Sequence, residues 1–501
     1  MVALSAAVDY HARVSPERIA LIYGRERISY AVLAERLRAA AGLLAARGIV
    51  KGDIVGVLMK NSAAFIELAL AASHIGAVLL PINFRLAAEE VGYILEHAGA
   101  KLLIVDEELL ASAGDFTAKV SVDAAAQSDS RLLAQGTQPA TGGAALVSGD
   151  LYRLMYTSGT TDRPKGVIIS YENYYWKCLD HIISLGLGAS DRLLVVGPLY
   201  HVGAFDLPGL ALLLTCGTLC VLREFEPDAA LELIQNERLT GAWMAPVMLN
   251  RLLALPGRER YDLSSMRWVI GGGERTPEER IREFSSLFRH GRYIDAYGLT
   301  ESVSGDTFMQ AGMEIEKIGS TGRAVPHVGI QIRDDAGRVL APGEAGEICL
   351  RGPKITKGYW RDPKKTAASF FGDWFRTGDV GHLDQDGFLF LTDRKKDMII
   401  SGGENIASSE VERVIYRLEQ VSEAAVVGLP DAQWGERVVA VVVLKAGAQL
   451  TPEELQQHCR AHLASFKVPR QLFLRESLTR NPSGKVLKRV LRDELAGKHE
   501  A

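Results

Sequence analysis

Cysteine is scarce and unpatterned in this chain. The five residues Cys178, Cys216, Cys220, Cys349 and Cys459 are odd in number and contain no CxxC pair, which argues against a disulfide framework and against a zinc site. A reducing cytoplasm is the expected compartment. No basic region followed by a sustained apolar run opens the sequence, because Asp9, His11 and Arg13 interrupt the place where a signal core would lie, so no export signal is expected. The longest apolar stretch, Leu207 to Leu222, is interrupted by Pro208, Gly209, Thr215 and Gly217. At about 16 residues it falls short of the ~20 needed to span a bilayer and reads as a buried core segment. Charge of one sign is also missing: the formal net charge is −4 over 501 residues, which leaves no basic field for nucleic acid. Anionic ligands must therefore be held by local sites. There is no internal repeat, and no G-x-x-x-x-G-K-[ST] loop of the Walker A kind.

What is present is an ordinary globular composition, 47% hydrophobic and 24% charged, on a chain too long for one core, so two or more domains are expected. Amphipathic stretches such as Tyr30–Arg47 alternate with short β-like runs such as Ile54–Leu58 and Leu102–Val105, the pattern of an α/β fold with largely parallel sheets. Between Gly114 and Gly149 the chain turns polar and rich in Ala, Ser, Gly and Gln, as in a surface excursion. A second change of character comes near Arg394–Asp397. Helix-like Ser409–Leu418, strand-like Val439–Leu444 and helix-like Pro452–Leu463 follow it, which predicts a small C-terminal α/β domain of roughly 100 residues. The expected domains are 1–395 and 396–501, the latter a mobile lid.

The segment Leu154-Met155-Tyr156-Thr157-Ser158-Gly159-Thr160-Thr161-Asp162-Arg163-Pro164-Lys165-Gly166-Val167 packs hydroxyls and glycines between two apolar runs. Glycine lets backbone N–H groups approach an oxyanion, hydroxyls add neutral donors, and Lys165 adds a point charge, so the loop suits phosphate. It closely resembles the phosphate loop of the adenylate-forming superfamily (the ANL fold), which comprises acyl-CoA synthetases, nonribosomal-peptide adenylation domains and luciferases. The resemblance runs in order from Leu79-Leu80-Pro81-Ile82-Asn83-Phe84-Arg85-Leu86 through Pro198-Leu199-Tyr200-His201-Val202-Gly203, Gly271-Gly272-Gly273-Glu274-Arg275, Asp295-Ala296-Tyr297-Gly298-Leu299-Thr300-Glu301, Trp374-Phe375-Arg376-Thr377-Gly378-Asp379 and the Asp393–Asn405 segment. It ends at Asn481-Pro482-Ser483-Gly484-Lys485-Val486-Leu487-Lys488-Arg489.

The resemblance implies an AMP-forming acid–thiol ligase that takes a small carboxylic acid, ATP and coenzyme A as partners. By it, Tyr297 stacks on adenine, Thr300 bonds an α-phosphate oxygen, Glu301 helps to hold Mg²⁺, and Asp379 and Arg394 reach the ribose. His201 lies beside the acyl carboxylate. Lys396 falls at a hinge, Ser401, Gly402 and Gly403 line the pantetheine path, and Lys485 enters the site for adenylation. It also implies an acyl pocket of His201, Val202, Gly203, Phe205, Gly272 and Gly298. With no lysine or arginine among them the acid is expected to be a monocarboxylate, and the glycines leave room for an aromatic ring or an extended alkyl chain. The chain departs from the family at Asp162, where glycine is usual, and at Tyr171, where histidine is common. Asp tolerates a left-handed backbone, so Asp162 can keep the loop shape if its carboxylate faces solvent.

The chain ends soon after Lys485 with no room for a carrier domain, which favours a coenzyme A ligase over an enzyme loading a separate carrier protein or a luciferase-like oxidase. From another class, a binding protein that senses an acyl-adenylate or nucleotide without turnover is the alternative. Thr300, Glu301, Asp379, Arg394 and Lys485 together argue against it. Whether the chain pairs as a homodimer is left open.

Overall fold

The computed structural model describes residues 3–124, 139–140, 142–157, 164–272, 278–394, 397–401, 404–431, 433–480 and 486–496. The chain divides into two compact units, Met1–Gly329 with Arg351–Phe375, and Ile330–Leu350 with Arg376–Ala501. Lys396, the expected hinge, lies outside the described residues.

The first unit is built on two sheets. One orders its strands as Lys119–Val122, Ala100–Asp106, Ile54–Leu58, Val78–Pro81, Leu151–Thr157 and Lys165–Ser170. All neighbours are parallel except the last pair, a hairpin in which Thr157 faces Lys165. In the other, Arg292–Tyr297, Trp268–Gly272, Gly241–Trp243, Arg192–Val195, Thr218–Val221 and Ile19–Tyr23 form a parallel run with short antiparallel strands at its edges. Parallel strands buried on both faces need near-continuous apolar sequence, and Ile54–Leu58 and Val78–Pro81 are buried at every position.

The helices start where their sequences provide caps. The Ser29 hydroxyl accepts from the N–H of Val32 ahead of Tyr30–Ala46. Ahead of Tyr171–Leu185, Ser170 accepts from Asn173 N–H while the Asn173 side chain accepts from Ser170 N–H, a reciprocal cap, and Gly186 closes the helix at φ 61°. The apolar segment 207–222 is core, as expected: it carries the short helix Ala211–Leu214 and the buried strand Thr218–Val221. Among the described residues no helix is long and apolar enough to cross a membrane. Within the polar stretch 114–149 the sequence reading missed the strand Lys119–Val122, which buries only Val120 and Val122.

The second unit takes in most of a sheet made by Gly329–Arg333, Gly346–Arg351, Trp374–Leu383 and Leu389–Arg394. Its other sheet orders Glu404–Ile406, Ile399–Ser401, Gly435–Leu444 and Val421–Asp431, with Gln471–Leu474 also on Gly435–Leu444. One face packs under the helices Ser408–Ile415 and Pro452–His462 through Val411, Leu455 and Cys459. The other packs under Lys488–Ala496 through Leu491 and Leu495.

Candidate functional site

In an open α/β sheet, ligands bind beyond the carboxyl ends of the parallel strands. Here those ends place together Trp243, Gly271, Gly272, Asp295, Ala296 and Tyr297, with Gly197 at the exit of the neighbouring strand Arg192–Val195. Gly273, Glu274 and Arg275 lie outside the described residues, as do Ser158, Gly159, Thr160, Thr161 and Asp162. Lys165 opens its strand with its ammonium 5.7 Å from the centre of the Tyr359 ring. Burial and then the neighbouring Lys365 hold that ammonium below the usual lysine range, so an anion at this place is favoured by both lysines.

After Tyr297 the backbone makes a tight excursion before re-entering the sheet at Thr307. Leu299 carbonyl accepts from Ser304 N–H at 2.8 Å, and Tyr297 carbonyl from Asp306 N–H at 2.7 Å. Tyr297 is buried, and Gly298 is required by close approach: a Cβ there would lie 2.3 Å from the backbone nitrogen of Gly305. Leu299, Thr300 and Glu301 are half-buried at the crest. The Tyr359 hydroxyl donates to Glu301 Oε1 at 2.8 Å, and Thr356 N–H donates to the Glu301 carbonyl at 2.7 Å. Burial and then Glu301 raise the Tyr359 phenol above its ordinary range, so it stays a donor. A held carboxylate beside a hydroxyl is a hard-oxygen donor set that fits Mg²⁺.

His201 precedes the short helix Val202–Asp206, and its ring lies 6.0 Å from the Trp243 indole at 26°. Burial pushes the imidazole down to about 4, with Asp206 acting in the opposite direction, so the ring is neutral at neutral pH. The loop before it is held by Asn61, which donates to Gly197 carbonyl at 2.8 Å and accepts from Leu199 N–H at 2.8 Å. The glycines do not leave open space. A Cβ on Gly203 or on Gly197 would lie 2.3 Å from the Trp243 ring, so the indole occupies the room that both provide. Phe205 is fully buried against the Arg153 guanidinium (4.6 Å) and Phe65, and Arg153 in turn donates to Asp206 at 2.5 Å. Gly272 is tighter than an open wall, since a Cβ there would lie 3.1 Å from the Ala296 carbonyl oxygen. Tyr171 is fully buried and donates to Ser73 Oγ at 3.1 Å. It belongs to the core and cannot touch a nucleotide.

In the second unit, Asp379 and Arg394 are register partners on antiparallel strands. Gly378 takes φ 74°, which favours glycine, and Thr377 is pinned by its hydroxyl to Ile348 carbonyl at 2.8 Å. Ser401 pairs with Gly435, next to Trp434, which is exposed and has the Arg470 guanidinium 4.8 Å over its ring. Lys396, Gly402, Gly403 and Lys485 lie outside the described residues. The sequence reading missed Trp243, Asn61, Tyr359 and Trp434. Each is placed by contact with residues distant in sequence and carries no local pattern; only the run Lys357-Gly358-Tyr359 offered a turn-like signal.

Two family models match the chain, AMP-binding enzyme over residues 8–360 and AMP-binding enzyme C-terminal domain over residues 410–485. A feruloyl-CoA synthase of Amycolatopsis sp. is 36% identical over 96% of both chains. The long-chain-fatty-acid–CoA ligase FadD13 of Mycobacterium tuberculosis is 35% identical over 93% of both. Among solved structures, ATP-bound MatB from Rhodopseudomonas palustris has a TM-score of 0.91 at 30% identity, covering 99% of each chain. The o-succinylbenzoate CoA synthetase MenE of Bacillus subtilis, in complex with the acyl-adenylate intermediate OSB-AMP, has a TM-score of 0.88 at 31% identity, covering 97% of this chain and 98% of that one.

Proposed function

The chain belongs to the AMP-binding, adenylate-forming superfamily and is an AMP-forming acyl-CoA ligase, and from that premise we propose that its acid is a compact aryl monocarboxylate rather than a long-chain fatty acid. The observation that carries this reading is the Trp243 indole filling the space beside Gly197 and Gly203 next to His201. A flat ring can lie along an indole, whereas an extended alkyl chain needs the volume the indole takes.

In the first step the carboxylate attacks the α-phosphorus of ATP and pyrophosphate leaves, so two anions are brought together. Lys165 and the hydroxyl of Thr300 are proposed to offset that repulsion, and Lys485 is proposed to do so as well. Mg²⁺, when bound at Glu301, neutralises phosphate charge. Tyr297 is proposed to cover adenine, and Asp379 with Arg394 to take the ribose. His201, neutral at neutral pH and with Nδ1 accepting from Gly203 N–H at 3.0 Å, keeps Nε2–H to donate one hydrogen bond to the acyl carboxylate without adding charge.

In the second step the thiol of coenzyme A attacks the acyl-adenylate carbonyl and AMP leaves. We place the nucleotide part of coenzyme A on Trp434 and Arg470, where an exposed aromatic face and a guanidinium suit adenine and phosphate. Replacement of Trp434 by Ala should raise KM for coenzyme A about tenfold and leave acid-dependent ATP–pyrophosphate exchange unchanged. The test of the substrate class is a panel of benzoates, cinnamates and C8 to C16 fatty acids scored by pyrophosphate release, then by AMP formation with coenzyme A and no added protein. A preference for C12 or longer would overturn the aryl assignment.

A further inference from the structure

Lys354 is a fully buried lysine with no part in the reaction as described. Its ammonium donates to the carbonyls of Ser304 at 2.7 Å and Gly305 at 2.8 Å and lies 3.0 Å from Asp306 Oδ1. Those two carbonyls belong to the stretch that returns the chain from Glu301 to the sheet, and that stretch is left-handed at three consecutive residues: Val303 at φ 56°, Ser304 at 62° and Gly305 at 65°. For glycine this is ordinary. For serine it is uncommon, and for a β-branched valine it is a strained conformation that persists only where the surroundings impose it. A run of three such residues also turns successive carbonyls toward one side, where a single cation can meet two of them.

The rest of the segment around Lys354 is fixed to the same place. Asn173, on the helix Tyr171–Leu185, donates to the carbonyls of Pro353 and Ile355 at 2.8 Å each. Thr356 N–H holds the Glu301 carbonyl, and Tyr359 holds the Glu301 carboxylate. Ser302 Oγ is bonded to Asp306 Oδ2, so the carboxylate that balances Lys354 also closes the turn from inside. On its far side the arch supports Gly298, whose missing Cβ is what lets it rest on Ser304 and Gly305.

We propose that Lys354 is a positioning residue for the adenylation step: by gripping two carbonyls of the strained arch at 303–305 it fixes the height and orientation of Gly298, Thr300 and Glu301 against the nucleotide. A buried ion pair contributes little net stability when an apolar pair could replace it, whereas two fixed donors on consecutive carbonyls specify one backbone geometry. The arch would otherwise relax toward right-handed backbone, which moves Thr300 and Glu301 without unfolding the sheet on either side. This inference rests on the reading that Thr300 and Glu301 face the nucleotide.

The experiment compares two double variants with the wild-type protein in acid-dependent ATP–pyrophosphate exchange across a Mg²⁺ titration, each checked by thermal melting. Lys354→Met/Asp306→Leu removes the cation and its carboxylate together, so no lone buried charge remains. Lys354→Gln/Asp306→Asn removes the charge but keeps two amide N–H donors for the same two carbonyls. The first should lose about tenfold or more in kcat and need more Mg²⁺, while the second should return to within about threefold of wild type. Val303→Gly added to the first should recover much of its loss, because glycine holds the left-handed arch without the grip. A folded Lys354→Met/Asp306→Leu protein that exchanges like wild type overturns the proposal. So does a folded Lys354→Gln/Asp306→Asn protein that is tenfold slower, and this second comparison decides the matter if the first variant does not fold. Absence of exchange in the wild type with every acid tried would instead overturn the reading of the site itself.

Discussion

Glu301 and His201 show how a side chain's neighbours set what it can do. The Tyr359 hydroxyl and the Thr356 N–H hold Glu301 by its carboxylate and its carbonyl, so Glu301→Gln, which keeps shape but loses charge, should slow adenylation by on the order of 100-fold in pyrophosphate exchange while coenzyme A transfer from supplied acyl-adenylate persists. Equal loss in both reactions would remove Glu301 from the phosphate side. For His201 the consequence lies in pH. Burial holds its folded value at about 4 against ~6.5 in an unfolded chain, so between those values the unfolded chain binds the additional proton. Stability is therefore full above about pH 6.5 and falls as pH drops toward 4. His74 and His181 are shifted in the same direction, first by burial. Replacing His201 by Gln should make the fall in thermal stability between pH 7 and pH 5 smaller by about 1 kcal/mol, the full linkage value being discounted for its partial exposure. An identical fall in both proteins would mean that the imidazole is not held neutral.

At the scale of elements, periodicity carried the helices and buried strands well. The helix predicted over 30–47 was legible because Leu33, Leu37 and Leu44 recur on one face, and it runs Tyr30–Ala46; Ile54–Leu58 coincides with its strand. The motifs put Tyr297 and Glu301 in one loop and gave Asp379 and Arg394 a common ligand group; in the structure Tyr297 ends the strand Arg292–Tyr297 with Glu301 on the turn after it, and Asp379 faces Arg394 across a strand pair. Contacts between elements were not legible. Glycines at 203 and 298 looked like room for substrate, but one faces the Trp243 ring and the other the backbone of Ser304 and Gly305, and nothing local in sequence says what will fill a missing side chain. Trp243 ends the three-residue strand Gly241–Trp243, too short to show a period. The element-scale prediction follows: Trp243→Ala should move the preferred acid toward longer chains, raising kcat/KM for a C10 to C12 acid about tenfold and lowering it for a benzoate or cinnamate. An unchanged acid profile would place the indole outside the acyl path.

Over the whole molecule the first unit carries His201, Lys165, Thr300 and Glu301 and the second Asp379, Ser401 and Trp434, and the proposed division of labour follows that split. The two steps need different groups: charge neutralisation while phosphorus is attacked, and access for a thiol while the acyl carbonyl is attacked. Lys485 is assigned to the first need and the Gly402-Gly403 segment to the second, so lesions in them should separate the half-reactions. Lys485→Ala should nearly abolish acid-dependent pyrophosphate exchange, by on the order of 100-fold or more, yet leave thioester formation from synthetic acyl-adenylate and coenzyme A largely intact. Gly402→Leu should do the reverse, because an added side chain would obstruct a pantetheine arm without touching the adenylation groups. Each half-reaction is measured alone, by exchange of labelled pyrophosphate and by thioester release. If Lys485→Ala slowed both steps equally, the lysine would be a structural residue of the second unit, and the neutralisation of the attacking carboxylate and phosphate would have to come from Lys165 and the bound metal instead.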